Sequence, residues 1–280
     1  MIDKYNWYEK LAIYAGMLVF LTFILAPFVE AFVVSLRPLD QVFRVPYRFI
    51  TDDMSFSAYV TMWESVPRLG RYIFNSFFIS CCVTLLALSC IIPAAYSFSR
   101  FSYKGRDGLL GTFLAINMVG SAVLIIPMYK LMLNLGLLNS YFAMVLPGAA
   151  FSVPTGIFLM RSYFLRIPKE LEEAAHVDGA SRIYTLWRVI LPVALPGIMV
   201  VAITTFISAY AQQFLFALIF NSNSDLHPLP MGLYEFFGRQ RIIWNELMAA
   251  SLVGITPVLL VYIFLQRYIV AGLTAGAVKE

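Results

Sequence analysis

Hydrophobic positions in this chain are gathered into long unbroken runs instead of recurring at the period of a half-buried helix or strand. Stretches without Asp, Glu, Lys or Arg occupy residues 11–29, 72–99, 109–129, 131–160, 189–224 and 247–266. A helix crossing the hydrocarbon layer of a bilayer needs about 20 such residues. Each run is long enough for one crossing, and six crossings account for most of the chain. The pattern predicts an all-α membrane protein with six transmembrane helices, near residues 11–34, 72–98, 109–133, 141–164, 193–220 and 247–268. We expect one domain over 1–280 with its core at about 72–267. The first run lacks a small-x-small cleavage site before Glu30 and is read as a retained span.

Between the runs lie segments of different character. Residues 37–71 form a polar connector in which Asp40, Asp52, Asp53 and Glu64 offset most of five arginines, with a short amphipathic helix expected around Ser57–Ser65. A basic loop at 99–107 holds Arg100, Lys104 and Arg106. Residues 134–140 turn a hairpin, and 221–246 is a polar loop with Pro228, Pro230, Gly232 and Gly238. With six spans both ends share a side, and a small Lys and Arg bias favours the cytoplasm for that side.

Residues 168–192 are the longest charged segment between two apolar blocks. Pro168 suits a first helical position, and Glu170, Glu172 and Glu173 fall where the helix dipole favours negative charge. Gly179 can take the left-handed conformation that ends a helix, and Ser181 or Asp178 can cap the next one. That second helix, from Arg182 to about 190, is expected to stop at Pro192. The product is a helix–corner–helix knob that presents small residues.

Glu173-Ala174-Ala175, then Asp178-Gly179-Ala180, then Val189 with Leu191-Pro192 resembles the EAA loop of ABC-importer permease subunits. Pro168-Lys169-Glu170-Leu171-Glu172 and the C-terminal 271–279 are similar to the carbohydrate-uptake, maltose-type branch of that family. The resemblance implies a type I ABC importer transmembrane domain with a cytoplasmic EAA coupling helix, in a bacterial cytoplasmic (inner) membrane. Contact with an ATPase would fall on Glu173, Ala174, Ala175, Asp178, Gly179, Ala180, Leu191 and Pro192. It also implies the partners: a second homologous permease in a heterodimer, two ATPase subunits carrying ATP and Mg, an extracytoplasmic solute-binding protein, the sugar and membrane lipid.

Several chemistries are missing. None of the six lysines follows a glycine, so no Walker-type phosphate loop is present and ATP would have to act on a separate subunit. The two histidines, His176 and His227, belong to no His-Glu-x-x-His, and no Gly-x-Ser-x-Gly elbow occurs. We expect no catalytic residue, no metal site and no nucleic-acid partner. Cys81, Cys82 and Cys90 all lie in the second span and read as free buried thiols. The spans are nearly free of mid-membrane charge, which disfavours the other transport class, a secondary transporter or channel working without ATP.

A neutral sugar needs amides, hydroxyls and aromatic faces. Asn117, Tyr210, Gln212 and Gln213 meet that need as candidate pathway residues, although such groups also join helices to one another. Relatives often carry Trp-Asn-acidic before Phe-Leu in the fifth span, where this chain has Ala211-Gln212-Gln213. The loss of an acid would suit an anionic saccharide. In the outward loop, Asp225, His227, Tyr234, Glu235 and Arg239 are the candidate contacts to a binding protein. Prolines at 93, 127, 147, 154 and 257 suit helices that move against each other.

Overall fold

The computed structural model describes residues 6–46, 48–238 and 242–274, and these are helical apart from connectors and one isolated bridge between Phe237 and Ile242. The chain divides into two compact units, residues 1–69 with 233–255 and residues 70–232 with 256–280.

In the first unit, α1 (Trp7–Leu36) buries only Val33 and Ser35. A 30-residue apolar helix this bare would be untenable in water but is in its proper solvent in lipid. Its end is fixed by polar contacts. Ser35 Oγ lies 2.9 Å from Tyr59 Oη, on α2 (Ser57–Ser65). Arg37 is buried, and its Nη2 donates to the carbonyls of Arg48 and Phe49. The connector is therefore folded back on itself, and its amphipathic helix lies where the sequence predicts it.

The second unit holds most of the bundle: α3 (Leu69–Arg100), α4 (Arg106–Met118), α5 (Ser121–Asn134), α6 (Phe142–Phe164) and α7 (Glu170–Val177). After α7 come α8 (Arg182–Tyr184), a π-helical stretch (Thr185–Ile190), α9 (Leu191–Ala211) and α10 (Gln213–Phe220). Two further helices, α11 (Leu229–Glu235) and α12 (Trp244–Thr274), complete the chain. Ile79, Val83 and Ile91 of α3 share one buried core with Met144, Ile157 and Met160 of α6, all almost fully buried. In lipid such packing rests on close approach and not on exclusion of water. Gly156 supplies it here, since a methyl group at that position would collide with the Ile91 side chain.

The structure differs from several expectations in detail. Among the described residues, five single helices are long and apolar enough to cross a membrane. The expected third span, 109–133, divides into α4 and α5 at Val119–Gly120, where the Val119 amide turns back to Ile116. The fifth, 193–220, breaks at Gln212. Another difference concerns Pro192, which does not stop the helix from Arg182. The π-helical stretch just before it shifts the ladder, with Leu191 N donating to Leu186 O, so the proline's missing donor falls where the regular pairing is already interrupted. Pro168 also lies outside α7, whose first residue is Glu170. Cys81 and Cys82 are half-buried, but Cys90 is exposed, contrary to the expectation of three buried thiols.

Candidate functional site

The helix–corner–helix knob is built largely as its sequence predicts. Asp178 caps α7, its amide donating to Ala174 O, and Gly179 follows at φ +84°. That left-handed conformation costs a residue with a Cβ roughly 1–2 kcal/mol, which glycine escapes. Of the two possible caps for the next helix, Ser181 is used: its Oγ accepts from Tyr184 N at 3.3 Å. His176 Nδ1 lies 3.0 Å from the Ala180 carbonyl, and a carbonyl only accepts, so Nδ1 carries the proton that closes the corner.

One acidic residue holds the knob to the bundle. Glu172 Oε1 accepts from Arg100 Nε at 2.6 Å, its Oε2 accepts from Tyr96 Oη at 3.0 Å, and Arg100 Nη2 donates to Ile167 O at 2.9 Å. With this face turned to α3, Glu173, Ala174, Asp178 and Gly179 are exposed, while Ala175 and Ala180 are half-buried. Leu191 is half-buried and Pro192 exposed at the start of α9. From its position in the chain, Glu172 has no expected role beyond the helix dipole. Its signal would have been the pairing of a lone basic residue at the end of α3 with a three-acid turn.

The breaks after α4 and α9 border one cavity of about 310 Å³. Asn117, Gln212 and Gln213 line it, together with Ser121, Ser152 and Thr204. Among the described residues, none in its lining is acidic or basic. Tyr210 is not part of it; its ring is buried and packs beside Phe206. Gln213 is committed elsewhere. Its Nε2 donates to Ser80 Oγ at 2.9 Å and to Ser76 O, and its Oε1 accepts from Ser76 Oγ at 3.0 Å. No proline or glycine marks the break at Gln212, and this tether to α3 coincides with it. The missed partners were legible as Ser76, Ser80 and Thr84, a polar row at four-residue spacing in an apolar helix.

Asn75 holds the polar loop after α10. Its Nδ2 lies 2.9 Å from the carbonyls of both Asp225 and His227, and its Oδ1 accepts from Tyr141 Oη at 2.8 Å. Asp225 also pairs with Arg71 at 3.5 Å, and the His227 ring nitrogen Nε2 sits 3.1 Å from Asn221 O. Asn139, at φ +56°, accepts from the amides of Ser222 and Asn223 through its Oδ1. Tyr234 and Glu235 are exposed but belong to the other compact unit. Arg239 lies outside the described residues.

These features belong to a helical membrane protein with an exposed knob and a neutral polar cavity, and a family model agrees. The model described as binding-protein-dependent transport system inner membrane component matches residues 87–275. The chain belongs to this family. It is 32% identical over 272 residues, covering 97% of each chain, to the inner membrane ABC transporter permease protein YcjP of Escherichia coli (strain K12). It is 33% identical over 273 residues, again covering 97% of each, to the trehalose/maltose transport system permease protein MalG of Thermococcus litoralis. Among solved structures, a chain of a bacterial ABC transporter involved in import of the acidic polysaccharide alginate superposes with a TM-score of 0.73 at 24% identity, covering 95% of this chain and 99% of that one. The fold is shared with that importer. The chain is thus a multi-pass component of an inner-membrane transport system, as its EAA-like segment implies.

Proposed function

We propose that this protein is one permease subunit of an ATP-driven importer that takes a carbohydrate from an extracytoplasmic binding protein into a bacterial cytoplasm. The continuous helix from Arg182 to Ala211 carries this reading. It joins the exposed corner at Gly179 to the break at Gln212, beside the neutral cavity. Thirty residues at about 1.5 Å each make a lever of roughly 45 Å. Closure of an ATPase pair against Glu173, Ala174, Asp178 and Gly179 would move the corner, and the lever would carry that displacement to the cavity as a rigid-body shift. Relatives named for trehalose/maltose, arabinooligosaccharides and diacetylchitobiose support a saccharide as the cargo.

In this scheme α4 and α5 together make the third of six crossings, and both ends and the knob face the cytoplasm. A homologous second permease completes the pathway. ATP and Mg bind two separate ATPase subunits, because this chain has no phosphate loop. The test is uptake of labelled oligosaccharides into vesicles holding the assembled complex. Uptake that requires binding protein outside and ATP inside supports the proposal; equal uptake without ATP overturns it.

A further inference from the structure

We propose that the cavity beside the two helix breaks is a saccharide subsite belonging to this subunit, shaped for one neutral pyranose unit. The inference rests on the importer reading and adds the position and chemistry of a binding site. A volume of about 310 Å³ lies at the low end of small-molecule pockets. It suits a single ring and not a chain.

The hydrogen-bonding capacity of the lining selects the ligand. Ser152 Oγ donates to Gly148 O at 2.8 Å, and Thr204 Oγ1 lies 2.9 Å from Val200 O. Each hydroxyl has spent its one proton on its own helix and faces the cavity as an acceptor. Gln212 and Ser208 are exposed and make no side-chain hydrogen bond among the described residues. At membrane depth such groups need a polar partner, water or cargo. Asn117 Nδ2 donates to Thr155 Oγ1 at 3.3 Å, which leaves the Thr155 proton for a ligand.

The apolar side is supplied by Phe151 and Phe216, whose rings stack at 6.1 Å and 20° and both border the cavity. A polyol donates hydroxyl protons to the acceptors, accepts from the amides, and lays its C–H face on an aromatic ring. An ionised uronate would find no cation there. The structure thus favours a neutral unit over the anionic saccharide suggested by the missing acid in the fifth span.

The test uses the assembled complex in nanodiscs. Saturation-transfer difference NMR is recorded with maltose, trehalose and cellobiose, and with glucuronate and galacturonate. Receptor-stimulated ATPase is measured in parallel, and its absence in the unmodified complex would count against the importer reading, not against the subsite. The expected result is transfer to at least one neutral sugar and none to the uronates. Gln212→Leu and Ser208→Ala should each weaken that signal about tenfold in affinity, with the thermal midpoint of the complex unchanged, since neither side chain has a hydrogen-bond partner among the described residues. Transfer to no neutral sugar, equal transfer to the uronates, or unchanged affinity in both variants overturns the proposal.

Discussion

Substitution of Glu172 should release the helix–corner–helix knob from the bundle without unfolding the bundle. The Glu172 and Arg100 side chains are only 12% and 4% exposed, and their contact at 2.6 Å is supplemented by Tyr96. Removing one partner of a buried, hydrogen-bonded ion pair costs about 3–5 kcal/mol, because the other charge is left uncompensated. In Glu172→Ala, Arg100 would retain only the Ile167 carbonyl. The helix it holds, α7, has eight residues and little intrinsic stability of its own. Loss of about 3 kcal/mol corresponds to more than a hundredfold in the opening equilibrium. Hydrogen exchange of the α7 amides in the detergent-solubilised subunit reads this directly. We expect exchange at least a hundredfold faster in Glu172→Ala, an intermediate rise in Glu172→Gln, and no change in Glu173→Gln, whose side chain is exposed. A cycle combining Glu172→Gln with Arg100→Gln should show strong coupling. Exchange within threefold of wild type in Glu172→Ala, or equal effects of Glu172→Gln and Glu173→Gln, would refute the anchoring argument.

Other predictions concern single positions. Gly179→Leu should strain the corner by roughly 1–2 kcal/mol and abolish uptake while the subunit still inserts; Gly179→Asn, which tolerates positive φ, should keep part of the activity in the same vesicle assay. Gln213→Leu removes the acceptor of the buried Ser76 hydroxyl, while Ser80 keeps its bond to Ser76 O; one orphaned donor costs about 1–3 kcal/mol and should lower the thermal midpoint of the purified complex. An unchanged midpoint would show that the Ser76–Ser80–Gln213 contacts are dispensable. Asn75→Ala should untether the loop at Asp225 and His227, leaving basal ATPase intact and reducing stimulation by loaded binding protein several-fold; unaltered stimulation would separate that loop from receptor contact.

The chain's solvent and its knob were legible because each depends on local rules. Charge-free runs report the bilayer, and Gly179 followed by Ser181 reports a left-handed stop and a new cap. The breaks at Val119–Gly120 and Gln212 were hidden because hydropathy averages over them. Half-helices are as apolar as whole ones, and at Gln212 the distinguishing feature is a tether to residues more than 130 positions away. Pro192 misled for a related reason: its penalty assumes a regular ladder, and the π-helical stretch before it removes that condition. Candidate pathway residues divided by environment, with Asn117 and Gln212 open to the cavity, Gln213 consumed by α3, and Tyr210 buried beside Phe206. Composition alone gives no such partition, since all four residues have polar side chains in apolar runs.

The coupling role of the knob is tested most directly by purifying the tagged chain from its native membrane and assaying ATP hydrolysis with and without a sugar-loaded binding protein. The account predicts a stable complex with an ATPase, stimulated by the loaded receptor, whose stimulation disappears in Glu173→Ala and Gly179→Leu although the complex is still inserted. A chain that purifies alone and moves solute across liposomes without ATP would contradict it.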